Sequence, residues 1–213
     1  PRSAVSAPLA DAGKKGMTTV ENTVKNILIV GVGGQGTLLA SKLMGKAFME
    51  RGYDVKVSEV HGMSQRGGSV VTYVRYGGKV YSSLIEKGEA DILISFEQLE
   101  AARWLSWLKP GGILITSTQQ IDPMPVIMGN AEYPDGILEE IRSKVERVIA
   151  VDAMQLAMEA GSAKATNVVL LGVAARYLGF EEQQWVEVIR STVPPKTIEI
   201  NEKAFALGFE AGN

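Results

Sequence analysis

From Lys25 onward the hydrophobic positions follow two rhythms. Asn26-Ile27-Leu28-Ile29-Val30 is a near-continuous apolar run stopped by Gly31, the pattern of a strand buried on both faces of a parallel sheet. Gly33-Gly34-Gln35-Gly36 follows. Leu39, Leu43, Met44, Ala47 and Phe48 then recur at helical spacing as far as Arg51-Gly52, where Gly52 suits a helix C-terminus. Residues 54–60 predict the next strand. The whole stretch predicts a strand, a glycine turn, a helix and a strand, joined by a right-handed connection.

The rhythm then changes. Ser64-Gln65-Arg66-Gly67-Gly68 is a glycine-bearing loop, followed by β-rich runs at 69–76 and 79–85 on either side of Gly77-Gly78. That arrangement predicts a β-hairpin interrupting the parallel sheet. Residues 90–96 predict another strand, 97–108 a helix ended by Pro110-Gly111-Gly112, and 113–116 a strand. Residues 119–136, with three prolines and two glycines, read as a surface excursion. A helix over 136–145 and a last strand over 147–151 follow. The rest is helical: 153–159, 164–178, 181–192 and, after Pro194-Pro195, 197–210. The stretch 167–178 is apolar nearly all round, which marks a central buried helix. These elements predict an α/β fold, a Rossmann-like, mostly parallel sheet with an inserted β-hairpin and a helical C-terminal portion. One domain over 25–213 is expected, preceded by a flexible extension over 1–24 in which Met17 is a candidate native start.

Composition narrows the chemistry. With 46% hydrophobic and 22% charged residues in 213, the bulk of the chain is globular rather than disordered. A net charge of −2 supplies no field to draw in nucleic acid or an anionic membrane. The chain has no cysteine, which excludes disulfides, a thiol nucleophile, thiolate zinc sites and thiolate-held iron–sulfur clusters on this chain. The single histidine, His61, rules out a multi-histidine metal site. The longest apolar run, 168–175, is too short to span a bilayer, and no secretory h-region opens the chain, so a cytoplasmic location is expected. No catalytic residue and no metal ligand is assigned.

Two segments carry candidate chemistry. Gly31-Val32-Gly33-Gly34-Gln35-Gly36 satisfies G-x-G-x-x-G after a strand and before a helix, where such glycines permit a tight turn and close approach of a phosphate. Glu59 stands where a ribose-binding acid would be. The plainer reading is that the glycines serve only the turn and its packing. The second segment, His61-Gly62-Met63-Ser64-Gln65-Arg66-Gly67-Gly68, is expected on the same carboxyl rim of the sheet. Arg66 either forks onto a phosphate or carboxylate or braces its own loop, and His61 is an acid–base group or a structural contact. Trp104, Trp107 and Trp185 read as packing residues, and Asn167 as a helix cap or an interface contact.

Taken together, Val30–Gly36, Ser64–Gly68 and Asn167-Val168-Val169-Leu170-Leu171-Gly172 resemble the gamma subunit or domain of the 2-oxoacid:ferredoxin oxidoreductases. The spelling of residues 61–68 is most similar to the beta subunits of the indolepyruvate type. The resemblance implies a complex that converts a 2-oxoacid, coenzyme A and oxidised ferredoxin into an acyl-CoA, carbon dioxide and reduced ferredoxin. It also implies a larger alpha subunit carrying thiamine diphosphate and the iron–sulfur clusters, with ferredoxin reached through that partner. This chain also lacks the Gly-Asp-Gly signature for a thiamine site. It would be a required small subunit, inactive alone, in a hetero-oligomer. Gly31, Gly33, Gly34, Gln35, Gly36, His61, Ser64, Gln65, Arg66, Gly67 and Gly68 would then face coenzyme A or the partner, with Arg66 on an anionic group. Two rival readings remain: a stand-alone NAD(P)-dependent reductase using Glu59, and an assembly module that binds no ligand.

Overall fold

The computed structural model describes residues 23–61 and 68–213. The expected extension over 1–24 therefore falls almost wholly outside the described residues, as do Gly62, Met63, Ser64, Gln65, Arg66 and Gly67. The strands are β1 (Lys25–Val32), β2 (Asp54–His61), β3 (Ser69–Gly77), β4 (Ala90–Ser95), β5 (Leu108–Ser117) and β6 (Arg147–Val151). They form one sheet in the order β2-β3-β1-β4-β5-β6. β1, β4, β5 and β6 pair in parallel, while β3 runs antiparallel to both of its neighbours, β1 and β2.

Helices cover both faces. On one side α1 (Thr37–Glu50) packs beside a C-terminal group made of α5 (Ala153–Ala160), α6 (Thr166–Ala175), α7 (Glu182–Arg190) and α8 (Ile198–Ala211). On the other, α2 (Gln98–Trp104) and α4 (Ile137–Lys144) cover a smaller core built on Leu28, Val30, Leu93 and Leu114. Odd and even residues of β1 thus feed different cores, which is why the strand reads as an unbroken apolar run. All ten residues of α6 are buried, as its all-round apolar sequence requires. Its crossing with α8 is closed by glycines. A Cβ on Gly172 would lie 2.2 Å from the Phe205 carbonyl oxygen, and one on Gly208 2.0 Å from that of Val169. Among the described residues no helix is long and apolar enough to cross a membrane.

The antiparallel element exists, but not where the Gly-Gly pair placed it. Its arms are β2 and β3, from Asp54↔Gly77 to His61↔Val70. Residues 79–85 form no strand. Both edges of β3 are already hydrogen-bonded, so a further strand has nothing to pair with. The apolar look of 79–85 comes from Val80 and Ile85, which are buried. Asp54 holds the segment by accepting from Val80 N–H at 2.9 Å, and Arg75 by donating to the carbonyls of Ser82 (3.0 Å) and Leu84 (2.9 Å). Two further boundaries move. The helix expected over 97–108 stops at Trp104 and tightens into a 3₁₀ turn over Leu105–Trp107. β5 then begins at Leu108, opposite Ala90, and passes Pro110-Gly111-Gly112 by a register shift. The excursion at 119–136 contains a short α3 (Met124–Ile127), and the helix expected over 164–178 is a 3₁₀ turn (Ala163–Ala165) leading into α6.

Candidate functional site

The glycine turn lies at the carboxyl end of β1, where parallel α/β sheets gather ligands. Its residues divide into those turned inward and those left open. Gln35 is turned inward. Its Oε1 accepts from Val32 N–H at 2.7 Å, and its Nε2 donates to the Phe96 carbonyl (3.0 Å) and to Gln119 Oε1 (3.2 Å). The side-chain amide thereby ties together the carboxyl ends of β1, β4 and β5. Gly31 makes room for it: a Cβ there would meet Gln35 Oε1 at 2.9 Å and Phe96 Cβ at 3.0 Å. Gly36, at φ 83°, caps α1 in the left-handed region and leaves space for Asn167, whose Nδ2 would lie 2.6 Å from an added Cβ. Asn167, only 3% exposed, donates from that nitrogen to the Gly36 carbonyl at 3.1 Å. The choice between cap and contact resolves as a buried tie from α6 to the turn.

The open part is Gly34, which has φ 104° and no atom within 4 Å of an added Cβ. With Gly33, Gly36, Thr37, Leu38, Glu59 and Val70 it lines a cavity of about 410 Å³. No side chain caps α1, and its first turn holds no acidic residue. The N–H groups of Thr37 and Leu38 therefore point their partial positive charge outward, as at an anion-binding helix start. The Gly33 N–H donates to the Gly68 carbonyl at 2.8 Å. That bond brings the end of the second candidate segment against the glycine turn. His61 ends β2 on the same rim. Ser64, Gln65, Arg66 and Gly67 lie outside the described residues.

Glu59 is less suited to a dinucleotide than its place in the sequence implies. In a dinucleotide fold the acid sits on the strand beside the glycine turn; here β3 separates β2 from β1. Two strand spacings, roughly 9.5 Å, intervene. Its carboxylate also accepts from Thr72 Oγ1 at 3.3 Å.

The same rim holds two buried acids that the sequence pattern did not single out. Glu97, 1% exposed, caps α2 by accepting from Glu100 N–H at 2.8 Å. It also accepts from the Tyr133 hydroxyl and, at 3.3 Å, from Ile121 N–H. Burial, then the neighbouring Glu97 carboxylate, raises the Tyr133 phenol well above its usual range, so it stays a donor. Glu100 accepts from Ser69 Oγ at 2.5 Å and pairs with Arg103 at 2.5 Å. These carboxylates fasten the 119–136 excursion and the start of β3 to α2. Both cap or follow a strand end, so the rule that carboxyl ends converge could have found them; neither belongs to a recognisable motif. Trp185 is fully buried as expected, while Trp104 and Trp107 pack on each other at 4.6 Å and stay partly open. Among the described residues no group of three or more His, Cys, Asp or Glu is arranged to hold a metal ion.

Comparison with known proteins places the chain in a family. The chain is 50% identical over 193 residues to the indolepyruvate oxidoreductase subunit IorB of Thermococcus kodakarensis, covering 87% of this chain and 95% of that protein. A gamma subunit of keto/oxoacid ferredoxin oxidoreductase from Geobacter sulfurreducens has a similar structure, with TM-score 0.64, 25% identity, and coverage of 88% of this chain and 98% of that one. The fold also recurs within a longer chain, the 2-oxoglutarate:ferredoxin oxidoreductase of Magnetococcus marinus (TM-score 0.69, 22% identity), covering 90% of this chain and 31% of that one. Residues 26–211 match the pyruvate ferredoxin/flavodoxin oxidoreductase family. The chain belongs to that family.

Proposed function

We propose that this chain is the small subunit of an indolepyruvate-type 2-oxoacid:ferredoxin oxidoreductase. The observation that carries the proposal is the 50% identity to a subunit of that name across 95% of its length. In this reading a larger subunit holds thiamine diphosphate and the iron–sulfur clusters, which supply decarboxylation of the aryl 2-oxoacid and electron transfer to ferredoxin. A chain with no cysteine has no thiolate to ligate such a cluster.

The small subunit's part is to present the carboxyl rim. The uncapped start of α1 and the open Gly34 offer backbone N–H groups to a phosphate of coenzyme A. Arg66, two residues before Gly68 in the sequence, would supply a guanidinium fork for the same group. Gln35 and Asn167 bind no ligand themselves; they hold the turn in shape from behind.

The test uses the complex reconstituted with its larger subunit. Hydrogen bonds to charged groups are worth about 1.5–3 kcal/mol, so Arg66→Ala should raise KM for coenzyme A by about tenfold or more, with little change for the 2-oxoacid. Alone, the chain should be colourless and inactive towards aryl pyruvates. Activity without a partner would refute the subunit role. Early melting of Arg66→Ala with unchanged coenzyme A saturation would reassign Arg66 to bracing its loop.

A further inference from the structure

We propose a second site at the opposite, amino edge of the sheet: a cleft for a small organic anion with a flat apolar body. A cavity of about 520 Å³ opens there, within the usual size of small-molecule clefts, roughly 300–1,000 Å³. Four cations line it, Lys25, Arg51, Lys109 and Arg147, against one carboxylate, Asp91. Asp91 is already committed to Lys109 and to the Asn26 N–H, at 2.7 Å for the latter. Among the described residues Lys25, Arg51 and Arg147 have no carboxylate partner. Arg51 lies over the Phe180 ring at 4.5 Å and donates to Gln184, but its buried Nε–H makes no hydrogen bond.

Helix ends explain only part of this charge. Arg51 is the C-cap of α1, where a cation complements the carbonyl end of the helix. Lys25 and Arg147 open strands β1 and β6, and Lys109 lies in β5. Lys25, Lys109 and Arg147 converge because parallel strands begin on one edge; Asp91 answers Lys109, Arg147 lies over the Tyr177 ring at 5.7 Å, and the charge left without a carboxylate favours an anion.

The walls say which kind of anion. Tyr53 and Tyr76 meet edge to face at 5.2 Å, Phe180 lies 6.3 Å from Tyr53, and Ile27 and Ile92 line the cleft behind them. Tyr76 and Phe180 are already buried in the core, so the rings the cleft leaves half open are Tyr53 and Tyr177, and an inorganic ion would use the cations without them. A planar aryl carboxylate uses both: its ring packs on the tyrosines and its charge faces the rim. This inference is independent of the oxidoreductase reading, since none of these residues belongs to the glycine-turn rim.

The full chain, titrated calorimetrically with 2-naphthoate, acetate and inorganic phosphate, tests it. The expected result is saturable binding of one 2-naphthoate per chain, at least tenfold tighter than acetate or phosphate. Arg147→Glu should weaken it tenfold or more, whereas Lys164→Glu, the same charge change at an exposed position outside the cleft, should not. Lys25→Glu serves as a second variant should Arg147→Glu fail to fold. Absence of saturable naphthoate binding overturns the proposal. So does phosphate binding as tightly as naphthoate, or unchanged affinity in a folded Arg147→Glu or Lys25→Glu.

Discussion

The crossing of α6 and α8 offers the sharpest test of the packing. Gly172→Ala and Gly208→Ala each add one carbon to a helix interior. On propensity alone the change should stabilise by up to about 1 kcal/mol. The structure gives the opposite sign, because the new carbon would lie 2.2 Å from the Phe205 carbonyl oxygen or 2.0 Å from that of Val169. Contacts between such atoms become comfortable only near 3.4 Å, and the obstructing atoms are backbone, which no rotamer change can remove. The helices must separate by more than an ångström, opening gaps along a core in which every α6 residue is buried. Overpacking costs about 1–3 kcal/mol and at times more. Set against the propensity gain, each variant should lose about 1–2 kcal/mol, or about 2–8 °C of melting temperature in a chain of this size. Gly45→Ala is the internal control. It also lies in a buried helix interior, but its new carbon would make ordinary contacts at 3.6 and 3.9 Å with Val57 and Val55. It should hold or raise the melting temperature. Scanning calorimetry of the three variants decides the matter. If Gly172→Ala and Gly208→Ala match Gly45→Ala, the close helix crossing is wrong.

Asn167→Ala removes the tie to the Gly36 carbonyl, which keeps its bonds from Leu39 and Ala40. Stability should fall by only about 1 kcal/mol, while amide exchange in the first turn of α1 accelerates; unchanged exchange would show that the tie does not hold the turn. NAD and NADP should leave the melting temperature unchanged, given the position of Glu59. A bound nucleotide at about 100 times its Kd would stabilise by ~2.7 kcal/mol, and such a shift would revive the reductase reading. A hydrogen bond from Lys56, then the Val80 N–H, holds the Asp54 carboxyl below its ordinary value. A depressed folded value contributes stability above the unfolded pKa of about 3.9 and loses it as pH falls through the folded one. Asp54→Asn should therefore flatten the drop in melting temperature below pH 4, and parallel curves for parent and variant would rule that linkage out.

What was legible in the sequence was whatever local composition and period encode. β1 and α6 were readable as apolar runs, one of strand length and one of helix length, and α1 from its 3.6-residue period up to Gly52. The place of the glycine turn was readable too: it follows β1 and opens α1, as a strand–glycine–helix spelling requires. Strand partnership was not. Gly77-Gly78 looks like a hairpin turn in isolation, and only the pairing of β3 with both β1 and β2 shows that nothing was left for 79–85 to join. In the site, the inward commitment of Gln35 depends on Gln119, 84 residues away, a relation with no local period at all. Glu97 and Glu100 carry no signal of their own in the sequence, because burial, not spacing, gives them their role.

The placement of β3 between β1 and β2 has a consequence for how the chain reaches this fold. A β1–α1–β2 unit cannot close on itself as the chain leaves the ribosome, because its two strands never touch. The shortest pairing available joins β2 to β3, with His61 and Ser69 flanking a short connection. β1 must wait for that ribbon, which meets it from Val32↔Ser69 to Lys25↔Tyr76. Its first parallel partner, β4, arrives only with Ala90–Ser95. Contacts of such wide sequence separation slow folding, since loop closure must precede the contacts that repay it. Until β4 emerges, the apolar strand Lys25–Val32 has at most one neighbour, and in that interval it is the segment most in need of a chaperone or an early-binding partner subunit.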